Sequence, residues 1–95
     1  MRLAVQEGAL ASGPEELDLT EPLFIGSDPG CTLVLKAEDG EARHARVFLS
    51  DGAVCLEDLE TPNGTAVNGQ RLDQPRTLRS GDSITIGGLT FQLKF

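Results

Sequence analysis

Apolar and polar residues alternate in short runs along most of the chain. A first run covers 2–8, with Leu3 and Val5 on one face, and the last covers 89–95, with Phe91, Leu93 and Phe95 on one face. Residues 45–49 and 53–57 flank Asp51-Gly52, a dipeptide that accepts positive φ and therefore favours a hairpin. The pattern predicts β-strands rather than helices.

The other predicted strands are equally short and are separated by turn residues such as Glu7-Gly8 and Ser12-Gly13-Pro14. A further hairpin is expected across Gly87-Gly88. Roughly ten strands at this spacing indicate an all-β fold of the sandwich type. Apart from the runs above, we expect strands at 17–19, 23–26, 32–35, 70–72, 77–78 and 83–86.

Two Asn-Gly pairs, Asn63-Gly64 and Asn68-Gly69, stand close together in the segment 61–69. Asn and Gly adopt positive φ at successive positions more easily than other residues do, so we expect both pairs to form turns with a short strand between them. Asn side chains also bond backbone groups across loops. The segment is therefore a candidate binding surface at one end of the fold.

Length and charge limit the classes of partner. The chain has 95 residues, enough for one small domain, and a formal net charge of −7. Nucleic acids and anionic membranes are bound first through Lys and Arg, so the sequence predicts neither as a direct partner. A basic or neutral protein surface is the expected partner, and the oligomeric state is left open.

Residues 1–10 lack the pattern of a signal peptide, and no apolar run approaches the ~20 residues that span a bilayer. We expect a cytoplasmic location, either alone or as the cytoplasmic domain of a membrane protein. In that reducing compartment Cys31 and Cys55 are expected to be thiols rather than a disulfide.

Catalytic and metal chemistry find little support in the sequence. His44 is the single histidine, and Glu38, Asp39 and Glu41 lack the spacing of a calcium loop. We expect a histidine that bonds loop backbone and an exposed acidic loop over 36–44, which by its length is a candidate recognition loop. No candidate nucleophile is accompanied by a residue placed to act as its base, so the sequence predicts neither an enzyme nor a bound cofactor.

Five short motifs follow one another along nearly the whole chain: Phe24-Ile25-Gly26, His44-Ala45, Asn63-Gly64-Thr65, Val67-Asn68-Gly69, and Gly81-Asp82 followed by Ile84 and Ile86. Their order resembles that of a forkhead-associated (FHA) domain. The resemblance implies an eleven-stranded β-sandwich that binds a phosphothreonine peptide through loops at one end. It also implies that Gly26, His44, Gly64 and Asn68 support loop structure.

The phosphate-binding positions of that family are changed here. The resemblance implies Arg at position 27, Ser at 41 and Ser or Thr at 62, whereas this chain has Ser27, Glu41 and Pro62. A phosphate carries about −1.5 to −2 charge and prefers charged donors, so a hydroxyl beside a carboxylate predicts loss of phosphothreonine binding. Asn63, which in the family holds the peptide backbone, is retained.

Three functions follow from the resemblance. The first is a phosphate-independent protein interaction module that docks its partner through the loops of Ser27, Glu41, Arg43 and Asn63. The second is a phosphothreonine-binding domain in which Arg43 or Arg46 replaces the missing cation. The third is a structural cytoplasmic domain of a type III secretion inner-membrane ring, because residues 24–29 are similar to that subgroup. A domain at the N-terminus of a longer protein is expected.

Overall fold

The computed structural model describes residues 2–6, 16–36 and 41–95. Within these ranges the chain forms eleven strands in two sheets and no helix, so the expected β-sandwich is confirmed. The strands are β1 (Arg2–Gln6), β2 (Glu16–Asp18), β3 (Leu23–Gly26), β4 (Leu33–Val34), β5 (Ala45–Ser50), β6 (Ala53–Asp58), β7 (Ala66–Val67), β8 (Gln70–Arg71), β9 (Arg76–Thr77), β10 (Ser83–Ile86) and β11 (Leu89–Lys94).

One sheet has the strand order β2-β1-β11-β10-β7-β8 and the other β4-β3-β5-β6-β9. Alternate residues of both sheets point inward, as the period of two in the sequence requires. Ile25 and Leu56 of one sheet and Ile84 and Phe91 of the other are fully buried in a single core. The prediction for Phe95 was wrong: the residue lies after β11 and is 40% exposed, so it does not continue the buried face.

The expected hairpin turns are present at three two-residue loops. Asp51 and Gly52 both have positive φ between β5 and β6, and so do Asn68 and Gly69 between β7 and β8. Gly87-Gly88 joins β10 to β11. The expectation for Asn63-Gly64 was wrong in part, since Gly64 has a φ of +74° while Asn63 does not take positive φ. That pair therefore belongs to a wider loop between β6 and β7.

Strand register gathers three loops at one end of the sandwich. Ala45, the first residue of β5, pairs with Ile25 near the end of β3 and with Asp58 at the end of β6. The loops that follow β3, precede β5 and follow β6 must therefore lie side by side. The predicted turns at Glu7-Gly8 and 12–14, together with Glu38 and Asp39 of the acidic loop, lie outside the described residues.

Candidate functional site

Gly26 allows the loops after β3 and before β5 to touch through their backbones. A Cβ on this residue would overlap the carbonyl of Ala42 and crowd the Cα of Arg43. Two backbone hydrogen bonds join the loops at this contact: Ser27 N donates to Glu41 O at 2.8 Å, and Asp28 N donates to Ala42 O at 3.1 Å. A residue without a Cβ is what makes this approach possible.

His44 joins the loop before β5 to the loop after β6. Its imidazole is fully buried; Nδ1 accepts from Glu41 N at 3.1 Å, and Nε2 lies 2.8 Å from Gly64 O. Since Nδ1 accepts, the network assigns the neutral tautomer with the proton on Nε2, which donates to that carbonyl. The ring therefore holds the Glu41 backbone and the Gly64 backbone at a fixed separation.

Asp58 anchors the same loop from the last position of β6. One carboxylate oxygen accepts from the hydroxyls of Thr61 and Thr65 at 2.7 and 2.8 Å, and the other accepts from Thr61 N at 3.0 Å. Burial raises the pKa of Asp58, but the hydrogen bonds from Thr61 and Thr65 outweigh it, so the pKa is lowered overall. The charged carboxylate is the form that this loop requires.

Asn63 stands at the tip of the loop and is exposed, and no hydrogen bond of its side chain occurs within the described residues. Arg71 packs behind it: the guanidinium lies against Gly64, and Nη2 donates to Pro62 O at 3.0 Å. The amide of Asn63 is thus presented to solvent on a braced backbone, beside an exposed cation.

The three other predicted contact residues are Ser27, Glu41 and Arg43. The Ser27–Glu41 backbone bond places these residues side by side, with Ser27 half-buried and Glu41 exposed. Arg43 is exposed, but its guanidinium lies over the ring of Phe24, 4.9 Å from the ring centroid. The structure therefore brings Ser27, Glu41 and Asn63 to one end and draws the charge of Arg43 toward the outer face of β3.

Arg46 is held by contacts away from the loop end. Its Nε donates to Glu57 at 3.0 Å, and its guanidinium stacks on Phe48 at 4.3 Å. It lies on the outer face of the β5–β6 pair, where two contacts already hold it. Of the two replacement cations considered from the sequence, Arg46 is thus engaged by Glu57 and Phe48 and not by the loop end.

Asn68 is separated from this end by β7 and closes a different turn. Its amide donates to Asp82 at 3.0 Å and accepts from Ser83 N at 3.0 Å. Asp82 also accepts from Arg79 N at 2.8 Å, so the turn between β7 and β8 and the turn before β10 are tied together. Asn68 thus contributes to the framework and not to the exposed loop tip.

Four residues that hold the loop end were not identified from the sequence: Asp58, Thr61 and Thr65 on its inside and Arg71 behind Asn63. The one available signal was the spacing Asp-x-x-Thr-x-x-x-Thr, whose second interval contains Asn63-Gly64. Cys31 and Cys55 are buried and free, and burial raises the pKa of the Cys31 thiol.

The part of the chain that the structure describes lacks two further kinds of feature. No group of His, Cys, Asp and Glu side chains there is arranged to hold a metal ion. Helices able to cross a membrane are likewise absent from residues 2–6, 16–36 and 41–95.

Comparison with known proteins places the fold in a family. Residues 23–87 match the model described as FHA domain. The chain is 30% identical over 92 residues to the FHA domain-containing protein FhaB of Mycobacterium tuberculosis. The aligned region covers 97% of this chain and 59% of that protein. The chain thus spans about three fifths of the length of the curated relatives it matches.

Solved structures agree over the full length. The FHA domain of the CT664 protein from Chlamydia trachomatis superposes with a TM-score of 0.82 at 27% identity, covering 100% of this chain and 98% of that one. The FhaA FHA domain complexed with the intracellular domain of Rv3910 gives a TM-score of 0.78 at 25% identity, with coverage of 99% and 100%.

Proposed function

This chain belongs to the FHA domain family, whose members are protein interaction modules, and on that premise we propose that it binds a protein partner without requiring a phosphate. The partner docks on the exposed loop end, where the backbones of Ser27 and Glu41 are hydrogen-bonded and Asn63 stands at the tip of the neighbouring loop. Asn63 bonds backbone amides of the partner, and Arg43 contacts it from the outer face of β3. The domain itself catalyses no reaction.

The position of Glu41 beside Ser27 is the observation that carries this proposal. The 2.8 Å bond between Ser27 N and Glu41 O brings together the two positions at which the family resemblance implies a guanidinium and a hydroxyl. A phosphate there would meet a carboxylate, and like charges a few ångströms apart cost on the order of 1 kcal/mol or more near a protein surface. The site selects against phosphate rather than for it.

Peptide titration tests the proposal. A degenerate phosphothreonine peptide library and its unphosphorylated counterpart would be titrated into the 15N-labelled domain. We expect no additional binding from the phosphate. Micromolar binding that disappears when the threonine is unphosphorylated would contradict phosphate independence.

A restored variant makes that negative result informative. The triple change Ser27→Arg, Glu41→Ser and Pro62→Thr returns the donors that the family resemblance implies, on loops whose backbone contacts remain in place. We expect this variant to gain phosphate-dependent binding, because a charged bidentate donor replaces a neutral hydroxyl. Ser27→Arg alone, with Glu41 still present, is the matched control and should gain less.

A phosphothreonine-binding domain with a displaced cation is the second candidate, and Arg71 favours it. This guanidinium is exposed beside the Asn63 loop and has donors left after its bond to Pro62 O. If the native domain did bind phosphothreonine, Arg71→Gln would remove that binding and Arg43→Gln would have the smaller effect. Equal loss in both variants would point to Arg43 leaving Phe24 to join the site.

A further inference from the structure

Three arginines lie close together in sequence on one side of the sandwich, and Arg71, the first of them, borders the loop end. Arg71 lies on β8, Arg76 on β9 and Arg79 in the turn that follows β9. They are three of the eight basic residues in a chain whose net charge is −7. β8 is the edge strand of one sheet and β9 the edge strand of the other, so this side joins the two sheet edges.

These arginines differ from Arg2 and Arg46 in having no carboxylate partner within the part of the chain that the structure describes. Arg2 forms ion pairs with Glu16 and Asp18, and Arg46 pairs with Glu57. Among the described residues, none of Arg71, Arg76 and Arg79 pairs with a carboxylate. The guanidinium bonds that are present go to neutral oxygens.

Neutral acceptors hold two of the three side chains in place. Arg76 Nη1 donates to Gln70 Oε1 at 3.1 Å across the gap between β9 and β8, and Arg71 Nη2 donates to Pro62 O at 3.0 Å. Such bonds restrict the side chains without neutralising them. Less side-chain entropy is then lost when an anion binds.

Two clefts lie against this edge and meet at Arg76 and Thr77. The first has a volume of about 490 Å³ and is lined by residues 70–77. The second has a volume of about 510 Å³ and is lined by Asn68, Arg76, Thr77, Arg79 and Asp82. Together they form a continuous polar track along the β8 and β9 edges.

Two carboxylates also face the clefts, Asp73 in the first and Asp82 in the second. Both oxygens of Asp82 are occupied, one by the Asn68 amide and one by Arg79 N. Asp82 therefore stabilises the turn through these two bonds. Neither of them involves the guanidinium of Arg76 or Arg79. Three arginines therefore stand against two carboxylates along the track.

We propose that the β8–β9 edge is a second binding surface, which holds an acidic, extended peptide segment of a partner protein. Carboxylates of that segment pair with Arg76 and Arg79, and Gln70 and Thr77 supply neutral hydrogen-bonding groups beside them. The net charge of −7 disfavours a polyanion such as nucleic acid, because its phosphates extend beyond the track toward the acidic remainder of the surface. A short acidic segment meets the cations alone.

The test is a titration of the 15N-labelled domain with a short peptide of alternating Asp and Ser residues, at low ionic strength. We expect shift changes at residues 68–79 and none at Ser27 or Glu41, so this surface and the Ser27–Glu41 part of the loop end are told apart in one spectrum. Arg76→Gln and Arg79→Gln should each weaken binding about threefold, as expected for a partly exposed ion pair. Added salt should weaken it further.

Arg2→Gln is the matched control, since it removes one positive charge from the β1–β2 region and should leave the affinity within about twofold. The same peptide with Asn in place of Asp should not bind. Absence of shifts at 68–79, equal binding of the Asn peptide, or an equal effect of Arg2→Gln would each overturn the proposal. Tighter binding of a short oligothymidylate of the same charge would overturn the choice of a peptide.

Discussion

The two Asn-Gly pairs have the same sequence and opposite roles. Asn68-Gly69 closes a two-residue hairpin in which both residues have positive φ and the Asn side chain is used twice, at Asp82 and Ser83. Asn63-Gly64 closes no hairpin; only its Gly has positive φ, and its Asn side chain faces solvent. The first pair supports itself through its own side chain, whereas the second is supported by other residues.

The difference distinguishes a residue that supports the fold, Asn68, from one that is available to a partner, Asn63. The Asn63 loop is held from inside by His44, Asp58, Thr61 and Thr65, so its exposed amide has no structural task. A side chain that does not stabilise the fold is available to bind a partner, whereas one that does tolerates little substitution. The comparison yields three predictions about stability.

The largest effect is expected for His44→Ala. The change removes a fully buried ring and leaves the Gly64 carbonyl and the Glu41 amide without their partner, which should lower the free energy of unfolding by about 3 kcal/mol. Urea denaturation followed by circular dichroism measures it. A loss below about 1 kcal/mol would show that the loop does not depend on this bridge.

A smaller loss is expected for Asn68→Ala. Positive φ at an Ala and the loss of two side-chain hydrogen bonds together should cost about 2 kcal/mol. Asn63→Ala is the matched control on the other pair and should change stability by less than about 0.5 kcal/mol. Equal losses at Asn63 and Asn68 would remove the distinction between the two pairs. Asn68→Gly isolates the hydrogen bonds, since Gly tolerates the backbone angle.

The smallest effect is a pH dependence that originates at Asp58. Because the folded-state pKa of this carboxyl lies below its ordinary value of 3.8, its stabilising contribution is complete above that value and is lost as the pH falls toward the folded pKa. Unfolding free energies measured between about pH 5 and pH 2 should fall more steeply for the native domain than for Asp58→Asn. Parallel profiles would exclude Asp58 as the origin.

Much of the framework was predictable because its signals are local. Alternation located β3, β5, β6, β10 and β11 to within a residue or two, and Asp51-Gly52 fixed the hairpin between β5 and β6. The parallel pairing of β4 with β3 was not predicted, since two residues carry too little pattern to specify a neighbour. β9 was placed one residue late for the same reason.

The inside of the loop end was less predictable because its contacts join residues that are far apart in sequence. His44 bonds a carbonyl 20 positions away, and Arg71 reaches back nine positions to Pro62. Glu60 adopts a φ of +58°, a conformation that its type does not favour and that no local rule would assign. Ser27, Glu41 and Asn63 were named from a resemblance, and their use by a partner stays a prediction.

The histidine bridge also supplies a built-in spectroscopic probe. Because the chain has a single histidine, the imidazole Nε2–H between the two loops gives one unambiguous proton signal. Buried and hydrogen-bonded, that proton should exchange slowly with water while the loops stay together and rapidly once they separate. Its exchange rate would measure how often the loop end opens, in the free domain and with a partner bound, without any label attached to the binding surface.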